Sequence, residues 1–202
     1  MKDAKIFDKK YADGLAGIRT LDLSARAGAL GATKQGKSYV FDFFNRRIAF
    51  DGDDFLDLNG HAVTTAVKVL LCDYLTKTHR PHDPASNRMV TFREFRNAGP
   101  LFSRFSENTG KIISTSFAGR LPALQSRCQS IGGIVITSAS YDLSIRFQAL
   151  KPVSVFLNFN DADELMPANA VFLFHADAEA HLELESLSLL CTYLTGCLIQ
   201  NR

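Results

Sequence analysis

Apolar residues recur at steps of three and four along several parts of the chain, the spacing that places them on one face of a helix. Residues 59–77 show it most clearly, with Asn59 as a suitable N-cap, and prolines at 81 and 84 follow. Residues 9–29 form a second helical stretch, which Asp22 can interrupt and restart. Residues 101–131 predict further helices that end at a pair of glycines. The last helix has a buried face formed by Leu187, Leu190, Cys191, Leu194 and Leu198.

Elsewhere apolar and polar positions alternate, as they do in strands that bury one face. Residues 39–44 and 48–50 predict one hairpin, turned by the Asn-Arg-Arg sequence between them. Residues 141–148 and 153–159 predict a second hairpin, with its turn at Ala-Leu-Lys-Pro. The short stretches MVTFREF and VFLF predict two more extended segments.

These elements place strands beside neighbouring strands, with the helices grouped between them. A doubly wound parallel sheet would instead need strands and helices in regular alternation. We therefore expect an α+β fold with a largely antiparallel sheet built from hairpins, helices packed against it and a helical C-terminus. No linker or repeat divides the 202 residues, so a single domain over 1–202 is the interpretation.

Composition, net charge and cysteine spacing argue against several classes of function. The net charge of +2 at pH 7 is too small to favour general nucleic-acid binding. No apolar run approaches the roughly 20 residues of a membrane span, and the N-terminus lacks a signal-peptide pattern, so a cytoplasmic location is expected. The cysteines Cys72, Cys128, Cys191 and Cys197 lie far apart, which favours buried thiols over a zinc site or a cluster. No cofactor is predicted.

The stretch GATKQGKS fits the phosphate-loop pattern, with Gly31, Gly36, Lys37 and Ser38 at the fixed positions. A phosphate loop needs a buried strand before it and a helix that begins at the Lys-Ser end. Here a helical stretch precedes the motif and an aromatic strand pattern follows it. We therefore expect a strand after Ser38, and nucleotide binding through residues 31–38 is the weakest functional hypothesis.

Acidic residues supply the main chemical candidates. Asp161, Asp163 and Glu164 directly follow a predicted strand, and Asp142 lies on the polar face of its hairpin partner. Carboxylates at strand ends can bind metals or act as general bases. They also cap helices and solvate loops, which is their commoner use. The sequence is consistent with both hypotheses, a chemical site and a structural role.

The C-terminal half, residues 138–190, resembles a family catalogued as domain of unknown function 3786. Sequences of that family show an aspartate-bearing strand, a Leu-Pro turn, a second strand, an acidic D-x-E-[FL]-x-P element, an LF strand and an acidic start to the last helix. Lys151 is inserted at the turn here, and Ser186 stands where an aspartate is expected. The acidic residues that match the pattern are Asp142, Asp161, Asp163, Glu164 and Glu185.

The resemblance implies an accessory role for the protein and does not identify a reaction. Members are bacterial and archaeal, largely from anaerobes; some carry iron–sulfur modules and others are associated with one-carbon or corrinoid metabolism. This implies a non-catalytic accessory or binding domain that acts beside an iron–sulfur or corrinoid protein. The alternative is a metal-dependent enzyme or small-ligand binder that uses residues 161–164. Resemblance to a family does not by itself establish a mechanism.

Overall fold

Two antiparallel sheets contain the strands of this protein, whose computed structural model describes residues 2–77 and 88–200. The N-terminal half has, in chain order, α1 (Lys2–Arg19), α2 (Leu23–Leu30), β1 (Thr33–Gln35), β2 (Ser38–Phe43), β3 (Arg46–Phe50), β4 (Phe55–Asp57) and α3 (Thr65–Thr76). These strands form the first sheet, in the order β1-β2-β3-β4.

The C-terminal half adds the second sheet and the remaining helices. Its elements are β5 (Met89–Thr91), α4 (Gly99–Asn108), α5 (Gly110–Phe117), α6 (Leu121–Ser130), β6 (Ile134–Val135), β7 (Leu143–Leu150), β8 (Val153–Asn160), β9 (Asn169–His175) and α7 (Leu184–Ile199). The strand order is β5-β9-β8-β7-β6, with every neighbouring pair antiparallel. The predicted α+β class, with hairpins and a helical C-terminus, is confirmed.

One apolar core draws side chains from both sheets and from the helices. Phe43 of the first sheet and Phe147 and Phe159 of the second are almost completely buried in it. Leu190 and Leu194 extend it along α7. The alternation in the sequence therefore directs the inward positions of both predicted hairpins into the same core. In β8 the residues on the other face are buried as well.

The tight turn at Phe44 joins the two sheets. Phe44 lies between β2 and β3 with a φ of 53°, a left-handed conformation that non-glycine residues rarely adopt. Its N–H donates to Ala149 O of β7 at 2.8 Å, and its ring lies 5.7 Å from that of Tyr193. These contacts offset the backbone strain, which is about 1–3 kcal/mol for such residues.

Side chains from other elements donate hydrogen bonds to backbone carbonyls at the C-terminal ends of α2 and α3. The Nζ of Lys151 donates to Gly28 O at 2.6 Å, and the Tyr74 hydroxyl donates to Leu30 O at 2.7 Å. In return, Nη1 of Arg26 donates to Thr76 O of α3 at 3.0 Å. Carbonyls in the last turn of a helix lack the usual i+4 N–H partner, and a cation there also interacts favourably with the helix dipole.

Several predicted boundaries shift in the structure. The break at Asp22 is confirmed, since its carboxylate accepts from the N–H groups of Ser24 and Ala25. The helix start predicted at Asn59 is wrong: α3 begins after Thr64, whose hydroxyl accepts from Val67 N–H. The prolines at 81 and 84 lie outside the described residues.

Two strand predictions also change. The polar stretch before Ser38 contains the short strand β1, which pairs with β2. The segment MVTFREF is extended only to Thr91, because Glu94 accepts from Thr91 N–H at 2.7 Å and closes a 3₁₀ turn at Phe92–Glu94. Local hydrogen bonds of this kind compete with strand pairing and are invisible to periodicity.

Alanine substitutions at Gly31 and Gly36 should differ in their effect on stability. Both glycines are left-handed, with φ of 61° and 60°, but an added Cβ meets Lys151 Cδ at 2.7 Å only at Gly31. We expect Gly36→Ala to lower the free energy of unfolding by about 1–2 kcal/mol. Gly31→Ala should lose about 1 kcal/mol more, since Lys151 must leave Gly28 O. Urea denaturation measures both values, and equal losses would contradict this account of the Lys151 contact.

Candidate functional site

The GATKQGKS segment has the geometry of a hairpin. Gly31 ends α2, and Gly36 and Lys37 form the turn between β1 and β2. Ser38 begins β2, which confirms the expected strand. No helix starts at the Lys-Ser end in this described segment, so its backbone N–H groups do not converge as a phosphate cradle requires.

The first glycine of the motif lines a cleft of about 390 Å³ at the junction of the two sheets. Asp42, Gln148 and Lys151 supply its polar wall. The Gln148 amide already donates to Leu150 O at 2.7 Å, and Lys151 already caps α2. The polar groups of this cleft are therefore largely engaged in holding the β7–β8 turn against α2.

Asp142 and Asp161 are brought together at one end of the second sheet. The prediction that Asp142 lies on the polar face of a strand is wrong, because β7 begins one residue later, at Leu143. Asp142 Oδ2 accepts from the N–H of Asp161 at 2.8 Å. Asp161 Oδ1 accepts from Gly119 N–H at 2.6 Å and from Ala162 N–H at 2.8 Å. Both carboxylates thus bind backbone donors, and Asp161 ties the end of α5 to the β8–β9 connection.

Asp163 shapes the next turn of the same loop. Its Oδ1 accepts from the N–H groups of Leu165 at 2.8 Å and Met166 at 2.7 Å, and these hydrogen bonds lower its pKa. The backbone N–H of Asp163 donates to Met166 O at 3.0 Å and closes the turn. Glu164 is exposed beside it. The loop therefore has a defined shape, with Leu165 and Met166 at its tip.

Glu185 lies apart from these residues, in the first turn of α7, where it pairs with Lys10 of α1. Its neighbour Ser186, which replaces the expected aspartate, hydrogen-bonds Asp73 of α3. Burial raises the pKa of Asp73, although Ser186 and the N–H of Glu183 both act to lower it. The acidic start of α7 is thus a junction between helices.

A buried ion pair between Asp57 and Arg46 was not singled out from the sequence. Arg46 Nε donates to Asp57 Oδ2, and Arg46 Nη1 donates to the Tyr193 hydroxyl at 3.0 Å. Burial opposes ionisation of Asp57, but Asn59 N–H and the Arg46 guanidinium outweigh it, so its pKa is lowered. His61 Nδ1 lies 3.5 Å from the same carboxylate. The sequence did contain one indication of this buried carboxylate: Asp57 stands two residues after Phe55, so both lie on the inward face of β4.

The fold and these sites define a two-sheet α+β protein whose acidic clusters brace its own backbone. The chain belongs to the family described as Domain of unknown function (DUF3786), as the model of that family matches residues 22–196. This match confirms the resemblance read from the sequence. No curated protein and no solved structure matches the chain.

Within residues 2–77 and 88–200, no three His, Cys, Asp or Glu side chains are arranged to hold a metal ion. None of the helices in those two ranges combines the length and apolar character needed to cross a membrane.

Replacing Asp57 should destabilise the protein in a pH-dependent way. Asp57→Asn leaves the largely buried Arg46 without its counter-ion, and we expect a loss of about 3 kcal/mol at neutral pH. The folded pKa of Asp57 lies below the unfolded value of about 3.9, so the ion pair contributes fully above that value. Its contribution declines as the pH falls below the unfolded pKa and is lost through the folded pKa, so the difference between the two proteins should shrink below about pH 4 and vanish at lower pH.

Chemical denaturation at several pH values measures this difference. Asp53→Asn is the matched control, because Asp53 pairs with Arg19 at 2.7 Å but its side chain is 85% exposed. The control should lose less than about 1 kcal/mol, as exposed pairs do. A loss for Asp57→Asn no greater than the control would contradict the assigned role.

Asp161→Ala should lower the melting temperature whether or not divalent cations are present, because Gly119 N–H loses its acceptor. Glu164→Ala, on the exposed part of the same loop, is the control and should change little. Thermal unfolding with and without Mg²⁺, Mn²⁺, Ca²⁺ and Zn²⁺ gives the readout. A cation-dependent rise in melting temperature that Asp161→Ala abolishes would instead support the metal-site alternative.

Proposed function

We propose that this protein is a non-catalytic binding domain that docks onto a partner protein through the loop of residues 161–168. The observation that carries the proposal is the exposure of two large apolar side chains, Leu165 at 89% and Met166 at 66%. Burying each of them contributes about 1.5–3 kcal/mol to an association. Leu165 and Met166 are adjacent, and contiguous exposed apolar surface marks protein–protein contact sites.

The bracing of the loop supports this role. Asp161 binds Gly119 N–H, and Asp163 binds the N–H groups of Leu165 and Met166 themselves. A loop that already has its bound shape loses less conformational entropy on association. Asp161 and Asp163, which the sequence suggested as ligands, therefore hold the loop in a shape that exposes its apolar tip.

Charge complementarity indicates the kind of surface that fits the tip. Glu164 is exposed next to Leu165, and Asp161 and Asp163 give the rest of the loop a negative charge. The matching partner surface is an apolar pocket with a basic rim. Complementary charges of this kind favour correct encounters and orientation.

The choice of partner class rests on what the family resemblance implies. We propose an accessory role beside an iron–sulfur or corrinoid protein in the cytoplasm of an anaerobe. The family resemblance supports this choice, since some members carry iron–sulfur modules and others are associated with corrinoid metabolism. The match over residues 22–196 places this chain in that family without bearing on the partner.

A photo-crosslinking amino acid at position 166, introduced into the full chain in its native host, tests both the docking loop and the class of partner. The same amino acid at Ile134, which is 54% exposed on β6, is the control. We expect one defined adduct from position 166 but not from position 134, and its purified partner should show the absorption of an iron–sulfur cluster or a corrinoid.

Binding of that purified partner then quantifies the site. The double variant Leu165→Ser, Met166→Ser should bind at least about tenfold more weakly than wild type, whereas Ile134→Ser should bind equally well. Unchanged affinity of the double variant would overturn the docking site. A partner without either cofactor would overturn the partner class and leave the docking site standing.

A further inference from the structure

A groove of about 310 Å³ lies between β9 and α4, and none of residues 161–168 lines it. Its floor is apolar and rigid: Phe105 and Phe172 are buried there, and the Phe92 ring stacks on Phe105 with centroids 4.1 Å apart. The volume is at the lower end of the range of about 300–1,000 Å³ typical of small-molecule sites.

The groove exists because β5 is shorter than β9. β5 pairs only with the last three residues of β9, from Thr91 opposite Leu173 to Met89 opposite His175. Beyond Thr91 the chain leaves the sheet in its 3₁₀ turn, so the first half of β9 has space beside it. Gly110 closes one end, since even a Cβ there would lie 2.5 Å from Ala170 O.

The rim of the groove carries hydrogen-bond donors that the described structure does not use. Arg93 lies over the Phe102 ring, with its guanidinium carbon 5.6 Å from the ring centroid. Among the described residues its guanidinium has neither an ion pair nor a hydrogen bond, unlike those of Arg26, Arg46 and Arg127. The side chains of Ser106 and Asn169 also line the groove and make no hydrogen bond within the described ranges.

We propose that this groove binds a small organic carboxylate with an apolar body. The planar guanidinium of Arg93 presents paired N–H donors that match a carboxylate, and its cation–π contact with Phe102 favours a position beside the groove. Ser106 and Asn169 can donate further hydrogen bonds to the same group. The aliphatic or aromatic body of the ligand then covers the phenylalanine floor, where it is removed from water. An apolar pocket with a few convergent polar groups is the usual form of such a site.

Titration of the full chain with acetate, hexanoate and phenylacetate tests the proposal, with phenylacetamide as a neutral match for the last. Calorimetry or NMR chemical shifts report the affinities. We expect phenylacetate and hexanoate to bind more tightly than acetate, and phenylacetamide to bind about tenfold or more weaker than phenylacetate. Failure of all three acids to bind, or equal affinity for acid and amide, would overturn the proposal.

Two substitutions connect the affinity to the groove. Arg93→Gln should reduce phenylacetate binding to the level of the amide, while Arg96→Gln, an exposed arginine outside the groove, should leave it unchanged. Ser106→Leu should fill the groove and abolish binding of both compounds, and an unaltered circular dichroism spectrum shows that it folds. Equal effects of Arg93→Gln and Arg96→Gln would refute a role for the groove.

The groove shares no lining residue with the proposed docking loop, although Asn169 directly follows that loop. The double variant Leu165→Ser, Met166→Ser should therefore bind phenylacetate as wild type does. Conversely, Arg93→Gln should still give the crosslinked adduct from position 166. Each proposal can consequently fail while the other stands.

Discussion

The position of α7 in the core depends on residues of α3 and α6, which form hydrogen bonds with the backbone groups at its two ends. At its N-terminus, Asp73 of α3 accepts from Glu183 N–H at 2.8 Å. At its C-terminus, the Arg127 guanidinium of α6 donates to Leu198 O at 3.2 Å and Cys197 O at 3.3 Å. Helix ends carry unpaired backbone groups that are costly to bury. The long-range caps allow a largely apolar helix to pack against several neighbours.

The same constraint explains why so many polar clusters are structural. Lys151, Asp57 and Asp161 are each the type of residue that forms ligand sites, yet each binds a group of this chain. Lys151 and Asp161 each join a strand end to a helix end, and Asp57 joins β4 to β3 through Arg46. Our two proposals instead use exposed groups of the described residues, namely the Leu165 and Met166 tip and the groove beside Arg93.

Periodicity predicted the elements that owe their form to burial. The β7–β8 hairpin and α7 appear where alternation and three- and four-residue spacing placed them, because each buries one continuous face. The start of α3 and the strand β1 were missed. Thr64 and Asn59 are both acceptable N-caps, and the choice between them depends on Asp57, which binds Asn59 N–H in a turn. β1 is an exposed strand that pairs with β2 and has no apolar pattern to reveal it.

The amino-acid sequence by itself determined the α+β class, the two hairpins, the lack of a helix after Ser38 and the family, since all of these follow from local patterns. It also identified the acidic residues of the loop, but not what they bind. Asp161 meets Gly119, 42 residues away, only in the folded chain. Tertiary structure alone decided which carboxylates face backbone donors and which side chains stay free, because burial and long-range hydrogen bonding depend on residues that sequence spacing does not bring together.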